Sequence, residues 1–467
     1  MTCKIGVMRY KIILLFSLFF LLLSCSTDEK KIEDYDSKPI KHTFSDSGIV
    51  KAQNQWWQVF NDEKLNSLMQ KALSDNLDLK IAFDRLSQSM ASVDLQDSTG
   101  GFNLNANARA ARKLTQTEGQ EDQYGNSYSV EFVASYEIDL WNRLESSTKS
   151  AHFASLANLH NTRVVALILS TQIAKTYFKL IEQSQKKDLL SYQIDISHKY
   201  LQLVTLKMQT GMATYLDVLQ QKQSISSLET QQITNNRDYQ KTKNELAKLI
   251  GDTPDKINIE VVDNLSDAPD LPLIYPIENL IKIRPDIQQA FASLQSASFK
   301  VSSLMANNYP KITLGASIAS TAIESADLFK TFINQIFIQI SQNLLDGGAN
   351  SARVKQQEKV VQENLHNYEK TVINAIHEVE NNLIMVKMQK KILENSKKEA
   401  KQSKNILKNS NIRYNNGDLD FQRLLNNITS WQSSELSYLQ QQRLSLEYAI
   451  NLYQATAGDI FKNENKK

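Results

Sequence analysis

Apolar and polar residues alternate strictly from Phe102 to Arg109. Phe102, Leu104, Ala106 and Ala108 fall on one side; Asn103, Asn105, Asn107 and Arg109 fall on the other. A period of two predicts a β-strand with one apolar and one polar face. The pattern returns from Ser127 to Asp139. There Tyr128, Val130, Phe132, Ala134, Tyr136 and Ile138 oppose Ser127, Ser129, Glu131, Ser135, Glu137 and Asp139, and Val133 alone is apolar on the polar side. In the second half Ile312, Leu314, Ala316 and Ile318 alternate with Thr313, Gly315 and Ser317. A fourth strand is expected over about 332–342, where Ile336, Phe337 and Ile338 interrupt the alternation. A soluble sheet with one buried face would give the same alternation. Two features favour a membrane barrel: the clearest runs reach about ten residues, enough to cross a hydrocarbon core when tilted, and the polar side suits a wet lumen. Asn103, Asn105, Asn107, Glu131 and Glu137 are the expected lumen-facing residues. Tyr128, Tyr136 and Trp141 lie near strand ends, where an aromatic girdle would sit. Four strands cannot close, and lipid does not tolerate open edges. A barrel built from this chain must be shared: two copies give eight strands, three give twelve.

Elsewhere the pattern is helical and long. No Gly or Pro interrupts Trp141 to Gly211, Gly211 to Gly251, Gly348 to Gly417, or Gly417 to Gly458. The whole chain has 13 Gly and 7 Pro in 467 residues, so few breakers that most of it must be helix. Asn142–Thr210 and Ala349–Asn416 could each reach ~100 Å at ~1.5 Å per residue. Val372, Ile376, Val379, Leu383 and Val386 are spaced 4, 3, 4, 3, which is a heptad seam. Turns at Gly211 and Gly417 would fold the following helices back antiparallel. The Gly211–Gly417 spacing is 206 and the Gly251–Gly458 spacing 207, which points to an internal duplication. Side chains keep the register: Lys207 with Arg413, Tyr215 with Phe421, Val218-Leu219 with Leu424-Leu425, Asn76-Leu77-Asp78-Leu79 with Arg284-Pro285-Asp286-Ile287. Each copy reads as helix (61–97 in the first), two strands, very long helix, turn, long helix.

The N-terminus reads as an address. Lys4, Arg9 and Lys11 precede an apolar run from Ile12 to Leu23, too short to span a bilayer and right for a signal peptide. It ends in Leu22-Leu23-Ser24-Cys25, which resembles a bacterial lipobox with Cys25 as the lipid anchor; Ser26 at the next position favours the outer membrane under the lipoprotein sorting rule. No other run reaches the length of a transmembrane helix. The expected divisions are a leader at 1–24, an anchored linker at 25–50, repeats at 51–253 and 254–458, and a tail at 459–467.

Composition narrows the chemistry. The two Cys are Cys3 and Cys25, so the body of the chain has no disulfide, thiolate nucleophile or Cys-based metal site. A net charge of +2 from 53 basic and 51 acidic residues gives no support to nucleic-acid binding. His377-Glu378 with Glu380, and His366 with Glu369, lack the facing ligands of a metal site and read as solvated helix faces. His152 and His160 are eight residues apart and share a face, but the sequence places no further metal ligand with them. Lys387, Lys390, Lys391, Lys397 and Lys398 read as an exposed helix surface. No metal, cofactor or catalytic residue is expected.

Taken in order, several motifs resemble the TolC-like outer membrane efflux protein family, its lipidated branch in particular. They are Trp56-Trp57-Gln58-Val59-Phe60 with Asp62, Leu65 and Leu68; Asp139-Leu140-Trp141-Asn142-Arg143; Gly211 with Tyr215-Leu216-Asp217-Val218-Leu219; Arg284-Pro285-Asp286-Ile287; Tyr309-Pro310; Asp346-Gly347-Gly348; and Arg413-Tyr414 through Gly417. Where Asn142 stands the family usually has Gly. The resemblance implies a mainly α fold with a small β part: a long antiparallel coiled-coil α-barrel, and a transmembrane β-barrel of four strands per chain and twelve in a homotrimer. It also implies a periplasmic adaptor, an inner-membrane pump and an outer-membrane, lipid-anchored location reaching into the periplasm. The expected function is the exit duct of a tripartite efflux system for small molecules. A duct for type I protein secretion and a pore-less, lipid-anchored coiled-coil scaffold are the alternatives.

Such a duct needs a lumen and a gate rather than catalysis. Gly211, Met212, Ala213, Gly417, Asp418 and Leu419 are the expected adaptor-docking tips. The family often rings its closed aperture with acidic residues just beyond the second tip. Here Arg423 and Asn426 stand there, and Asp217 holds the place of Arg423 in the first repeat. The candidate gate is therefore Asp217, Asp420, Arg423 and Asn426, closing through Arg423 bonded across protomers.

Overall fold

The computed structural model describes residues 42–48, 50, 55–256, 264–457 and 461. The leader, Cys25 and the turn at Gly458 lie outside them. The chain forms two compact units, one with Arg85–Asn158 and Gln289–Tyr368, the other with Ile40–Asp84, Leu159–Gln288 and Glu369–Lys467.

The first unit holds the sheet. Strands β1 (Asn103–Thr115), β2 (Gln123–Ile138), β3 (Lys311–Ala322) and β4 (Ile333–Ser341) pair antiparallel in the order β1-β2-β3-β4. The register carries each strand's alternation into its neighbour's. One row runs Asn105, Val133, Ser317, Gln335, and the next runs Leu104, Ala134, Ala316, Ile336. One face is thus mainly polar and the other mainly apolar. The apolar face is uncovered: Leu104, Phe132, Ile318, Ile336 and Ile338 are half to nine-tenths exposed. On β3 the apolar-side Leu314, Ala316 and Ile318 are exposed, whereas the polar-side Gly315, Ser317 and Ala319 are buried or half-buried. The interrupted alternation of β4 resolves at Phe337. Its side chain is on the polar face, and a Cβ at the paired Gly315 would meet its ring at 2.2 Å. Only glycine leaves room for that ring.

Strand-to-helix junctions repeat with the duplication. After β2, Asp139 accepts the backbone N–H of Arg143 at 2.7 Å and of Glu145 at 2.8 Å, starting α3 (Arg143–Gln209). After β4, Asp346 accepts those of Gly348 at 2.9 Å and Asn350 at 2.7 Å, starting α7 (Ala349–Asn415). Asn142 has φ +55 and Gly348, 206 residues on, has φ +86. Asparagine tolerates the left-handed region better than most residues, so it can replace glycine there. Trp141 stacks on Tyr309 at 4.8 Å and donates its indole N–H to the Pro310 carbonyl at 2.8 Å. Helix α6 (Pro285–Ala306) and the start of α7 share a small core of Leu294, Val301, Val361 and Leu365.

The second unit contains a larger core built around Trp56, Trp57, Phe60, Tyr177, Phe178 and Tyr453. The expected single helix over 61–97 is two helices, α1 (Glu63–Asp75) and α2 (Leu77–Ser98). The break is Asn76, whose Oδ1 accepts the Leu79 N–H at 3.0 Å and whose Nδ2 donates to the Leu249 carbonyl at 2.9 Å. An Asn side chain that bonds nearby backbone competes with helix continuation. Leu249 is the last residue of α4 (Tyr215–Leu249). In the second repeat, after the short α5 (Ile277–Ile283), Arg284 takes this role. It donates to the Ala455 carbonyl near the end of α8 (Phe421–Thr456) at 2.9 Å, and Ala455 lies 206 residues beyond Leu249. Arg284 also forks onto Asp286 and reaches Glu378 at 2.7 Å.

The heptad seam on α7 is buried at Val372, Val379 and Leu383 and half-buried at Ile376 and Val386. Contrary to expectation, α3 does contain an 18-residue stretch apolar enough to cross a membrane. Two thirds of that stretch is buried inside the protein, which is what a core helix requires. Glu378 and Glu380 are also not merely solvated: Glu378 holds Arg284, and Glu380 receives the Ser45 N–H at 2.9 Å and His42 at 3.0 Å.

Candidate functional site

Both tips are built by the same backbone device. Gly211 has φ +77 and Gly417 has φ +83. The Met212 N–H bonds the Lys207 carbonyl and the Gly211 N–H that of Met208; Asp418 bonds Arg413 and Gly417 bonds Tyr414 in the same way. This pair of bonds closes a helix on a left-handed residue, which glycine adopts without penalty. The next helices are capped differently. Thr214 and Asp217 form a reciprocal box at the start of α4, each bonding the other's backbone N–H. Asp420 alone caps α8, accepting the Arg423 N–H at 2.8 Å.

The candidate tip residues therefore divide. Ala213 and Leu419 are half-buried and pack on a core of Val204, Val218, Leu407, Tyr414, Phe421, Leu424 and Trp431. Met212 and Asp418 are exposed. The exposed surfaces differ in kind. The first tip shows Met212, Tyr215 and Leu216, 62–73% exposed. Their counterparts at the second tip are Asp418, buried Phe421 and Gln422.

The four candidate gate residues lie on the first two turns of α4 and α8 or at their caps. Asp217 and Asp420 each commit one carboxylate oxygen to a cap and keep the other available. Arg423 is exposed, and among the described residues its guanidinium forms no salt bridge. Asn426 accepts from Gln422 at 3.1 Å and lines an uncharged groove of about 390 Å³ between α4 and α8, with Gln220, Ser224, Gln231 and Thr429. Sequence reasoning misses the contact that ties the two tips together. Lys207 donates to the Tyr414 carbonyl at 2.6 Å and lies 4.0 Å from the centre of its ring. In the sequence Lys207 is visible only as the counterpart of Arg413; nothing in its spacing says that it crosses to the other hairpin. Burial, and then the nearby Asp217 carboxylate, raise the Tyr414 phenol above the ordinary tyrosine range.

On the sheet, Asn103, Asn105, Asn107, Glu131 and Glu137 share the polar face. Glu137 is engaged at the end of β2 that leads into α3, where Arg143 holds it at 2.6 Å. Among the described residues no three His, Cys, Asp or Glu gather as a metal site would need.

The family model described as outer membrane efflux protein matches residues 68–252 and 277–458. The pyoverdine export outer membrane protein OpmQ of Pseudomonas aeruginosa is 26% identical over 97% of this chain and 97% of its own length. The toxin and drug export protein A of Aggregatibacter actinomycetemcomitans is 26% identical, with 87% of this chain and 88% of that one covered. Among solved structures, the outer-membrane channel OprN superposes with a TM-score of 0.83 at 22% identity, over 93% of this chain and 97% of that one.

Proposed function

Because this chain belongs to the outer membrane efflux protein family, we propose that it is the exit duct of a tripartite efflux system in the bacterial outer membrane. It passes small molecules, delivered by an inner-membrane pump through a periplasmic adaptor, to the exterior. The observation that carries this reading is the sheet. Its apolar face runs across all four strands and is largely exposed, its opposite face is mainly polar, and β1 and β4 leave two open edges. Such a sheet is stable in lipid only when its edges are paired by further copies. Three copies would pool twelve strands around a wet lumen lined by Asn103, Asn105, Asn107 and Glu131. Cys25 would add a lipid anchor. The adaptor would dock at the tips, chiefly the apolar surface of Met212, Tyr215 and Leu216.

The test is single-channel conductance of the detergent-extracted protein in a planar bilayer, with its mass measured in parallel. Discrete steps from a species of three protomers are expected. A monomer or dimer without conductance would sink the pore and promote the coiled-coil scaffold. Protein secretion remains the second reading on one observation: the Aggregatibacter relative is named for export of both toxin and drug.

A further inference from the structure

Ser320 breaks the rule of the face it sits on. The register pairs it with Val130, among Phe132, Ala134, Ile318 and Ala316 on the apolar side. It is only 2% exposed. A hydroxyl on a lipid-facing surface has no water to bond, and leaving it unpaired is costly. Here it has a partner from outside the sheet: the Phe329 N–H donates to Ser320 Oγ at 3.0 Å. The β3–β4 connection, 323–332, therefore folds back at Phe329 onto the apolar side rather than over the polar one.

The fold-back requires a strained backbone. Phe329 has φ +76, in a region that bulky L-residues rarely adopt and that a turn would normally fill with Gly or Asn. A 3₁₀ turn at Ser325–Asp327 leads into it, and Lys330 pairs with Asp327 beside it. What the loop presents there is aromatic. Phe329 and Phe332 are each 56% exposed, with ring centres 6.4 Å apart. They lie at the loop end of the apolar side, where Asn334 intervenes before the exposed Ile318, Ile336 and Ile338, and the Lys330–Asp327 pair lies beside them.

We propose that this loop is a lipid anchor: Phe329 and Phe332 seat in the boundary between head groups and acyl chains of the outer leaflet, and Ser320 holds them there. The inference rests on the membrane reading of the sheet. Rings at that depth with a charged pair beside them match the amphipathic character of the interface. The occupant is lipid because the rings adjoin, past Asn334, the exposed apolar face that the membrane reading assigns to lipid.

The experiment places an environment-sensitive fluorophore on the full chain at Phe332→Cys, Ile336→Cys or Asn105→Cys, with the unsubstituted chain as blank. The protein is reconstituted in phosphatidylcholine vesicles carrying nitroxide lipids, labelled either near the head group or deep in the acyl chain. The label at 332 should emit blue-shifted light and be quenched most by the shallow nitroxide. The label at 336 should respond more to the deep one, and the label at 105 to neither. Ser320→Val should release the loop and abolish shallow quenching at 332 while leaving 336 unchanged, and Ser320→Thr should keep it. A label at 332 that behaves like the one at 105, or that is shielded from water and lipid alike as by a second copy, overturns the anchor while the barrel stands. An unquenched label at 336 overturns both.

Discussion

Arg284 shows how much one side chain can carry. Its guanidinium is nearly buried and binds three acceptors at once, the Asp286 and Glu378 carboxylates and the Ala455 carbonyl. Burial alone would lower its pKa, but the two carboxylates win and raise it. Removing one partner of such a set strands the others, so Arg284→Ala should destabilise the fold by ~3 kcal/mol. Arg284→Lys should recover only part, because an ammonium cannot make the fork. Thermal unfolding of the two variants tests the order. Asp346 allows a pH test. Backbone N–H bonds, that of Asn350 first and then that of Gly348, hold its carboxyl below the ordinary aspartate range. A depressed folded value means that this contribution is complete above the unfolded pKa, about 4, and drains as pH falls through the folded value. Asp346→Asn should remove that slope from the acid limb of the stability curve and leave the neutral region flat. An unchanged acid limb would show that the bonds do not persist in solution.

Three glycines end long helices with one motif, yet they should not respond alike to substitution. At Gly211 and Gly417 an added Cβ meets nothing within 4 Å, so alanine costs only the left-handed backbone, ~1–2 kcal/mol. At Gly251, which also has φ +75, that Cβ would lie 2.7 Å from the Asp75 carbonyl oxygen. Gly251→Ala should therefore lower the unfolding temperature well beyond the other two, and equal shifts would contradict the packing at α1. This difference is not readable in the sequence, where the three positions carry the same turn signal. Other element-scale features are legible there. The period-two runs locate three strands and the largely apolar run at about 332–342 the fourth, the breaker-free stretches locate α3, α4, α7 and α8, and the mainly helical fold follows. The alternation is visible because one face of the sheet is mainly apolar and the other mainly polar, although only β3 shows it as alternating exposure in the single chain. What stays hidden depends on contacts between distant segments. Phe337 looks like a lapse in alternation until Gly315 appears opposite it, and Asn76 looks helical until Leu249 appears as its partner. Lys207 gives no sign of Tyr414.

In the proposed duct the question at this scale is what would hold the tips shut, and the two candidate contacts there differ in exposure. Lys207 is spent within its own protomer on the Tyr414 carbonyl and ring, in half-buried surroundings. Arg423 is exposed and unpaired by any described residue, while Asp217 and Asp420 each keep a carboxylate oxygen free. We propose that closure uses a bond from Arg423 to one of these in a neighbouring copy. Being exposed, it should be screened when the Debye length falls to ~3 Å at about 1 M salt. Arg423→Ala should therefore raise channel opening and detergent sensitivity at low salt, and the wild type should approach the variant as salt rises. Lys207→Met should also loosen the tips, but its difference from wild type should persist at high salt, because a part-buried contact is screened less. If Arg423→Ala matches the wild type at every salt concentration, the gate does not use Arg423. Closure would then have to come from the apolar packing around Val204, Phe421 and Trp431, where Phe421→Ala would be the variant that opens it.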